Sequence, residues 1–390
     1  MLAIYPKKQV ENNDRMKIAI LINDTTYTYN LRREIIQRFI EEGHEVYIAA
    51  EILLFEDKLK EMGCHLIAVQ VGRRGTNPLS DLGLLLAYRK ILKKLKPDAV
   101  LTYNIKPTSY GGMVCGMLHI PYYPNITGLG TPIENPGKIQ KVAIALYKTG
   151  VSRAECVFFQ NSENLQFFQS HGMLLPGRRY RLLPGSGVNL KTYPLLPYPE
   201  GEKTRFLFVA RIMKEKGIDL FLAAARQIMQ ERDDCEFHIC GMCDDPKYME
   251  TLNREQEKGV IVYHGQQKDM LPHYQSCSCL LYPSYYPEGM SNVLLEAAAS
   301  GRPLIVADRS GCREIVDNEE TGYIVPVNDE KATIEAAQRF LQLSPEERKE
   351  MGIRGRKKVE REFDRELVVD AYMEEVCGTG SAENRSSEKV

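Results

Sequence analysis

The sequence lacks a long hydrophobic run. No stretch of about 18 consecutive apolar residues occurs, which predicts that no segment spans a membrane. The opening residues, MLAIYPKKQVENNDR, have too short an apolar run for a secretory signal, so they predict a polar extension in which Met16 is an alternative start to Met1. The composition, 43% hydrophobic and 26% charged over 390 residues, is that of a soluble globular enzyme with two domains.

Patterns for metal binding and for disulfides are also scarce. The seven histidines show no His-Glu-x-x-His spacing, and the aspartate pairs at 233–234 and 244–245 are adjacent, unlike an Asp-x-Asp metal clamp. Ten cysteines in a chain of this length favour buried, reduced thiols and a cytoplasmic protein. Cys240-x-x-Cys243 and Cys277-x-Cys279 leave a zinc or redox site open, but they fall at predicted strands, so no metal is expected.

The charge is unevenly distributed along the chain. Residues 16–187 carry 21 Lys and Arg against 14 Asp and Glu, a net charge of +7. Residues 188–390 carry 27 against 36, a net charge of −9. This asymmetry indicates an anionic ligand or surface on the basic side, with chance drift between two domains as the alternative.

Both halves alternate short apolar, β-rich runs with amphipathic helical segments. Strands are predicted at 17–22, 45–50, 64–71, 98–103, 121–126 and 155–159, and then at 205–210, 235–240, 259–264, 279–283, 303–307 and 321–327. In the second half, helices are predicted at about 216–231, 247–257, 292–300 and 329–343. This order predicts an α/β protein of two doubly wound, Rossmann-like domains with a ligand cleft between them.

Proline and glycine mark the predicted boundaries. The proline-rich segment 190–203 predicts a linker, so we expect domains at 16–187 and 188–362. Ser344, Pro345 and Glu347 form the pattern of a helix capping box, and two later glycines predict a break into two helices. A further helix at 363–377 is expected to pack back on the N-terminal domain, and the polar tail 378–390 is expected to be disordered.

The segment PEGMSNVLLEAAASGRPLI, residues 287–305, carries the strongest chemical signal. Ser291 stands where a helix N-cap is expected, and the N-terminus of a short helix at 292–300 offers free backbone N–H groups to a diphosphate. Because a carboxylate would repel phosphate, Glu288 should turn towards sugar hydroxyls, and Glu296 could accept hydrogen bonds from a ribose. A capped helix with a solvated glutamate is the alternative.

Two cations stand at a second predicted strand end. In VARIMKEKGIDLF, residues 209–221, Arg211 and Lys216 follow a strand and precede a helix, where doubly wound domains bind ligands. Cations at a helix N-terminus oppose the helix dipole, so an anionic ligand explains them better than a solvated pair does.

These motifs resemble the retaining glycosyltransferases of family 4, which have the GT-B fold. The resemblance rests on Glu288-x₇-Glu296 with AAASGRPLI, on Arg211 and Lys216, and on SGVN (186–189) and GCREIVDNEETGYIVPVND (311–329). It implies an acceptor-binding first domain and a donor-binding second domain. It implies catalytic roles for Glu288, Arg211 and Lys216, and donor contacts from Gly289, Met290, Ser291, Asn292, Val293 and Glu296.

The same resemblance implies the reaction. A hexose-type sugar would move from a nucleotide diphosphate, with UDP as the expected base, to a glycan or polyprenyl-linked acceptor in cell-surface polysaccharide synthesis. The anomeric configuration would be retained, with the leaving phosphate taking the acceptor proton on the same face. No metal, no cofactor beyond the nucleotide-sugar and no nucleic acid partner are implied.

The first half departs from the family pattern at one position. Many relatives carry a histidine near the reacting sugar, in the loop that corresponds to about 125–128, where this chain has Asn125, Ile126, Thr127 and Gly128. We expect Thr127, Asn104 and Lys106 as candidates for its role, with Gly128 in the acceptor cleft.

The helical pattern at 84–97 has one apolar side and one basic side. Its cations are Arg89, Lys90, Lys93, Lys94 and Lys96. They indicate either a solvated face or a peripheral contact with anionic lipid on the inner face of the cytoplasmic membrane.

Two functions other than sugar transfer remain open at this stage. A sugar-nucleotide epimerase would share the fold but would need histidine and acidic residues in the cleft, which the pattern does not supply. A binding module without activity would not need both donor motifs.

Overall fold

The chain folds into two compact α/β units. The computed structural model describes residues 15–72, 78–130, 133, 137–201 and 203–378, so all but the last residue of the predicted N-terminal extension and all but the first residue of the predicted tail lie outside the described residues. One unit runs to Leu183 and resumes at Val368, and the other unit is Pro184–Leu367. Each unit contains one parallel sheet, which confirms the predicted fold class.

The first unit is built on a seven-stranded sheet in the order β3-β2-β1-β4-β5-β6-β7. The strands are β1 (Lys17–Asp24), β2 (Glu45–Glu51), β3 (His65–Ala68), β4 (Ala99–Tyr103), β5 (Tyr122–Ile126), β6 (Val157–Phe159) and β7 (Tyr180–Leu182). All strand pairs in it are parallel. Because the strands are buried on both faces, they read as continuous apolar runs.

Helices cover both faces of this sheet. They are α1 (Thr25–Glu41), α2 (Glu56–Glu61), α3 (Pro78–Leu95), α4 (Gly112–Leu118, entered through a π-helical turn at Pro107–Gly111), α5 (Lys138–Val151) and α6 (Ser162–Ser170). Helices α3 to α6 share one core with the sheet. On the other face, α1 and α2 share a core with the part of the last helix, α13 (Arg365–Cys377), that follows Val368.

The second unit repeats the plan with six strands in the order β10-β9-β8-β11-β12-β13. They are β8 (Thr204–Val209), β9 (Cys235–Cys240), β10 (Val262–Tyr263), β11 (Cys279–Tyr282), β12 (Leu304–Ala307) and β13 (Gly322–Val325). The helices are α7 (Ile218–Glu231), α8 (Pro246–Glu257), α9 (Leu271–Ser276), α10 (Asn292–Ala299), α11 (Glu330–Gln342) and α12 (Pro345–Glu362). Every predicted strand is present, although β3, β6, β10 and β13 are shorter than predicted by two residues or more.

The strand orders define where ligands bind in each unit. The direction of winding reverses between β1 and β4 in the first sheet and between β8 and β11 in the second. In doubly wound sheets, a crevice opens beyond the carboxyl ends of the strands at this reversal. The motifs of the second unit follow β8 and β11, and Asn104 and Lys106 follow β4.

The segment predicted as a linker is an integral part of the second unit, so that prediction is wrong. Tyr198 donates its hydroxyl hydrogen to the carbonyl of Ser278 at 3.0 Å. The buried Arg302 donates to the carbonyls of Leu196 and Pro197, at 3.1 and 2.6 Å. Prolines therefore shape a packed extended segment here, and the boundary between the units lies at 183–184.

The predicted helix break at Gly352 and Gly355 is also wrong. Helix α12 runs unbroken through both glycines, from the capping box of Ser344 and Glu347 that the sequence predicts. A Cβ atom at Gly352 would lie 2.1 Å from the carbonyl oxygen of Gly301, so this glycine lets two backbones approach closely. The residue serves packing rather than a helix end.

We expect Gly352→Ala to lower the free energy of unfolding by about 2 kcal/mol, because the added methyl group meets backbone that cannot rotate away. The matched control is Gly355→Ala in the same helix, where the added Cβ would stand at an ordinary 3.7 Å from Thr321. That change should be neutral or stabilising by up to about 1 kcal/mol, since alanine favours the helix. Thermal unfolding midpoints check both, and equal midpoints would refute the packing role.

Candidate active site

Two loops pack together at the carboxyl end of the second sheet. Gly217 follows β8 with a φ of +80°, and a Cβ atom there would lie 2.3 Å from the carbonyl oxygen of Pro283, just after β11. The backbone N–H of Tyr285 donates to the carbonyl of Glu215 at 3.0 Å. Only glycine allows this approach with this backbone angle, and the contact brings the two sequence motifs to one place.

The contact joins the side chains of Lys216 and Glu288. The Lys216 ammonium forms an ion pair with Oε1 of Glu288 and lies 3.2 Å from the Tyr282 hydroxyl oxygen. Both side chains are largely buried, with 12% and 16% of their surfaces exposed. The sequence analysis gave these residues separate targets, phosphate for Lys216 and sugar hydroxyls for Glu288, whereas the structure pairs them.

Two tyrosines that the sequence analysis did not select complete this cluster. Tyr282 donates its hydroxyl hydrogen to Oε1 of Glu288 at 2.9 Å, and burial followed by the neighbouring Glu288 charge raises its pKa well above the ordinary value. The ring of Tyr286 faces the Lys216 ammonium at 4.5 Å from its centroid. Such contacts restrict a long, flexible side chain to one position. Tyr286 precedes the predicted motif by one residue, which was the available signal.

The N-terminus of α10 lies in the same loop and presents its backbone. Ser291 is the N-cap residue, as predicted, but its side chain makes no capping hydrogen bond. Its own N–H donates to the carbonyl of Gly311 at 2.8 Å. The buried Oδ1 atom of Asn292 has no hydrogen-bond partner within the described residues. The first N–H groups of α10 therefore remain available to an anion.

The neighbouring residues Gly289, Met290 and Val293 frame this helix start. A Cβ atom at Gly311, which has a φ of +87°, would lie 2.9 Å from the Gly289 carbonyl oxygen. Met290 is buried and Val293 is half-buried. The backbone on both sides of the N-cap is thus held rigidly, as an anion site requires.

Arg211 lies two residues beyond β8 and is exposed. It makes no hydrogen bond and no ion pair within the part of the chain that the structure describes. A guanidinium at a strand end, with its charge uncompensated there, can still bind phosphate oxygens through two parallel hydrogen bonds.

Glu296 lies one turn into α10 and faces the protein interior. Its Oε2 atom accepts a hydrogen bond from the Tyr274 hydroxyl at 2.9 Å, and Tyr193 is a second donor. Burial raises the pKa of Glu296 above its ordinary value of 4.5, and these hydroxyls oppose the shift only in part. The carboxyl group is therefore oriented by tyrosines, an arrangement that fixes it for hydrogen bonding to a ligand.

The Glu296 pKa predicts a pH dependence of stability. Because the folded protein holds this proton more tightly than the unfolded chain, stability should fall as the pH rises from about 4.5 through the folded-state pKa. We expect Glu296→Gln, which cannot ionise, to flatten this decline in stability with pH. Chemical unfolding at a series of pH values checks it, and parallel profiles for the two proteins would contradict it.

In the first unit, two predicted residues lie at the carboxyl end of β4. Asn104 has a left-handed backbone with a φ of +70°, and its Oδ1 atom accepts a hydrogen bond from the Asn23 N–H at 3.3 Å. The Lys106 ammonium lies 3.0 Å from Oδ1 of Asp81. Burial raises the pKa of the Tyr110 hydroxyl, and the neighbouring Asp81 raises that pKa further. Strained backbone and an oriented cation at a strand end are typical of a ligand site.

The other predicted residues of this unit follow β5. Thr127 and Gly128 are half-buried, and Gly128 has a φ of +139°. Asn125, at the start of the stretch where relatives carry histidine, is buried and accepts a hydrogen bond from the Tyr372 hydroxyl of α13. Its side chain thus anchors α13.

The cysteines take no part in either site. All ten are unpaired, and eight are buried. Burial raises the pKa of both Cys240 and Cys277 to about 12, so these thiols are protonated and unreactive at neutral pH. Among the described residues, no group of three or more His, Cys, Asp or Glu side chains is placed to hold a metal ion.

Two family models match the chain, one in each unit. Residues 17–161 match the model described as glycosyl transferase 4-like, and residues 198–358 match the model described as glycosyl transferases group 1. The chain therefore belongs to the family 4 glycosyltransferases of GT-B fold, as its motifs indicated.

Similar proteins occur in bacteria. Over 329 residues the chain is 27% identical to the N,N'-diacetylbacillosaminyl-diphospho-undecaprenol alpha-1,3-N-acetylgalactosaminyltransferase of Campylobacter jejuni, covering 79% of this chain and 84% of that protein. Over 290 residues it is 25% identical to the putative colanic acid biosynthesis glycosyltransferase WcaL of Escherichia coli, covering 65% of this chain and 71% of that protein.

Solved structures share the fold over nearly the whole chain. Sucrose-phosphate synthase from Thermosynechococcus elongatus superposes with a TM-score of 0.72 at 21% identity, covering 92% of this chain and 97% of that one. Anabaena HepE in complex with UDP and glucose gives a TM-score of 0.77 at 14% identity, covering 94% and 100%. At these identities the likeness establishes the GT-B fold.

Proposed function

We propose that this glycosyltransferase moves a hexose-type sugar from a UDP-sugar to a glycan or polyprenyl-linked acceptor, with retention of the anomeric configuration. The observation that carries the proposal is the cluster of Lys216, Glu288 and the uncapped α10 N-terminus at the winding reversal of the second sheet. It combines a cation, a carboxylate and free backbone N–H groups, which are the groups that a sugar diphosphate needs. The family models describe transferases, so we do not propose the epimerase.

The donor diphosphate would lie across the start of α10. The N–H groups of Asn292 and Val293 would bind its oxygens, and Lys216 and Arg211 would stabilise the negative charge that develops on the leaving phosphate. Glu296, oriented by two tyrosines, would accept hydrogen bonds from the ribose. UDP is supported by the HepE complex, which holds UDP in the same fold.

Glu288 would hold the transferred sugar rather than attack it. Its Oε1 atom is already engaged by Lys216 and by the Tyr282 hydroxyl, which lowers its strength as a nucleophile. A same-face reaction, in which the leaving phosphate takes the acceptor proton, needs no protein nucleophile and would retain configuration. Lys216 then serves the diphosphate on one side and orients Glu288 on the other.

We infer that the reaction needs no metal ion. The divalent cation that many transferases use neutralises the diphosphate, and here Lys216, Arg211 and the α10 N-terminus supply positive charge at that place. Activity should persist unchanged in a chelator.

The acceptor would bind the first unit, near Asn104, Lys106, Thr127 and Gly128. Lys106 would contact an acceptor phosphate, because its ammonium is held at the strand end by Asp81. A diphosphate-linked acceptor fits the name of the Campylobacter relative, whose substrate carries diphospho-undecaprenol. Synthesis of a bacterial cell-surface glycan is the corresponding role.

A lipid-linked acceptor would bring the first unit to the cytoplasmic face of a membrane. The outer side of α3 exposes three leucines, Leu79, Leu82 and Leu86, and beyond them Arg89 and Lys93. Apolar side chains followed by cations suit an anionic bilayer surface, where each cation contributes about 1 kcal/mol. Among the described helices, none is long and apolar enough to cross the bilayer.

The donor assignment is tested by a thermal-shift screen with UDP-, GDP- and ADP-sugars. A donor bound at about 100 times its Kd should stabilise the folded protein by about 2.7 kcal/mol. We expect UDP-sugars alone to raise the melting temperature, in chelator as well as in magnesium. A shift with another base, or a shift only with metal, would overturn that part of the proposal.

A further inference from the structure

A groove lies on the face of the first sheet that α3 covers, at the open edge formed by β3. It has a volume of 1010 Å³, and its walls come from β1, β2, β3 and α3. One helix, about 10–12 Å wide, is narrower than three strands spaced about 4.8 Å apart together with their side chains. Among the described residues, the packing of Leu84, Tyr88 and Leu92 into the core therefore leaves the β3 side of the face uncovered. We call this space the edge groove.

The edge groove is long and mostly apolar. Between Ser80 and Leu95, α3 forms its wall over a length of about 22 Å. Its apolar lining includes Ile67, Val69, Leu84, Ala87, Ile91 and Leu95. This shape and lining suit an extended hydrocarbon chain better than a compact polar ligand.

Positive charge collects at one end of the edge groove. Lys17 begins β1, and α3 runs against the strands, so that Lys90 and Lys94 of its last two turns lie towards the same end. Lys90 and Lys94 are exposed and make no ion pair with any described residue. Their aliphatic stems line the groove while their ammonium groups reach solvent.

Two carboxylates lie near Lys17, and each is bonded to a group other than the Lys17 ammonium. Asp98 accepts a hydrogen bond from the backbone N–H of Lys17 at 2.7 Å, and Glu45 pairs with Arg15 at 3.1 Å. Glu45 also accepts a hydrogen bond from the Tyr47 hydroxyl at 2.7 Å. Lys17, Lys90, Lys94 and Arg15 outnumber these two carboxylates, so the amino end of the edge groove keeps a net positive charge.

We propose that the edge groove binds one acyl chain of an anionic membrane phospholipid, with the lipid phosphate at Lys17, Lys90 and Lys94. The position of the charges decides between this occupant and the polyprenyl tail of an acceptor. This choice rests on the proposed function, which puts an acceptor's diphosphate at the carboxyl ends of the strands, where Lys106 is, whereas these cations lie at the amino ends. Binding of an acyl chain in the groove also differs from membrane contact through the leucines on the outer side of α3, because those leucines point away from the groove.

The structure offers a direct way to close the edge groove. Gly83 lines it on α3, and a Cβ atom built there meets no heavy atom within 4 Å. Gly83→Phe should fill the groove without disturbing the core, and it replaces glycine within a helix by a better helix former. Gly83→Ala is the matched control, because it leaves the space open.

The test measures binding of myristoyl lysophosphatidylglycerol to the full chain, below the concentration at which the lipid forms micelles. We expect Gly83→Phe to weaken binding by at least about tenfold and Gly83→Ala to change it by less than about twofold. Equal affinity of Gly83→Phe and the unmodified chain, at equal melting temperatures, would overturn the proposal.

A second experiment tests the role of the lysines with the same myristoyl lysophosphatidylglycerol. The double change Lys90→Glu and Lys94→Glu should weaken binding by at least about tenfold, whereas Lys141→Glu, an exposed cation of α5 that does not line the groove, should change it by less than about twofold. Lysophosphatidylcholine with the same chain should bind at least about tenfold more weakly than the anionic lipid. Equal binding of both lipids would refute the role of the lysines.

A third experiment tests whether the groove instead binds the polyprenyl tail of an acceptor. Suppose that farnesyl diphosphate binds the unmodified chain but not Gly83→Phe, and that the anionic lysolipid binds neither. The groove then binds an isoprenoid tail, and the proposal is wrong. No sugar transfer enters any of these measurements. A negative result in the lipid-binding measurements therefore leaves the proposed transferase function untouched. Likewise, a protein without transfer activity could still bind the lipid.

Discussion

Replacing Lys216 by alanine is expected to lower the rate of sugar transfer by about a thousandfold. In the unmodified chain, the ammonium is held between Glu288 and the face of Tyr286, a few residues from the start of α10. The Lys216 ammonium is therefore preorganised to stabilise the charge on the leaving diphosphate. The loss should appear in kcat/KM for the donor, measured with a saturating acceptor.

The same short turn supplies the control. Lys214 lies two residues earlier, is exposed and makes no ion pair within the described residues. Lys214→Ala should retain activity within about twofold, as surface changes usually do. If Lys216→Ala also retained near-normal turnover while folded, the assignment of this cluster to catalysis would be wrong.

Replacing Glu288 by alanine is expected to lower transfer by about a hundredfold to a thousandfold while leaving the affinity for free UDP equal or higher. The carboxylate would hold the sugar, so its removal harms the reacting complex. At the same time, Lys216 loses the anion that now neutralises it and becomes more available to the diphosphate. Transfer rates and a UDP titration of the same protein measure the two effects separately.

Glu288→Gln separates charge from hydrogen bonding. The amide keeps an oxygen for the Tyr282 hydroxyl but cannot form the ion pair with Lys216. We expect it to lose less activity than alanine and to bind UDP with the same raised affinity. A Glu288→Ala protein that turns over normally, or that loses UDP binding in proportion to its activity, would contradict the account.

The sequence predicted the fold because the strands and helices are local patterns. Parallel strands buried on both faces leave continuous apolar runs, and the capping box at Ser344 is readable in four residues. The two errors came from residues whose role depends on distant partners. The prolines of 190–203 suggested a linker, and Gly352 suggested a helix end, because sequence does not show Arg302 beneath the first or Gly301 against the second.

The candidate site was predicted in its members but not in its arrangement. The motifs placed Lys216 and Glu288 at strand ends, and strand order brings those ends together. Sequence could not show that the two side chains pair, since that depends on Gly217 lying against Pro283. Nor could it select Tyr282 or Tyr274, which look like ordinary core aromatics until their hydroxyls meet Glu288 and Glu296.

The central claim is that the start of α10, with Lys216 and Arg211, binds the diphosphate of the donor. A crystal structure of the full chain with UDP tests it most directly. We predict phosphate oxygens about 3 Å from the N–H groups of Asn292 and Val293 and from the Lys216 ammonium, with the ribose at Glu296. UDP bound elsewhere, with the Lys216–Glu288 pair intact and no phosphate at the α10 N-terminus, would contradict the account.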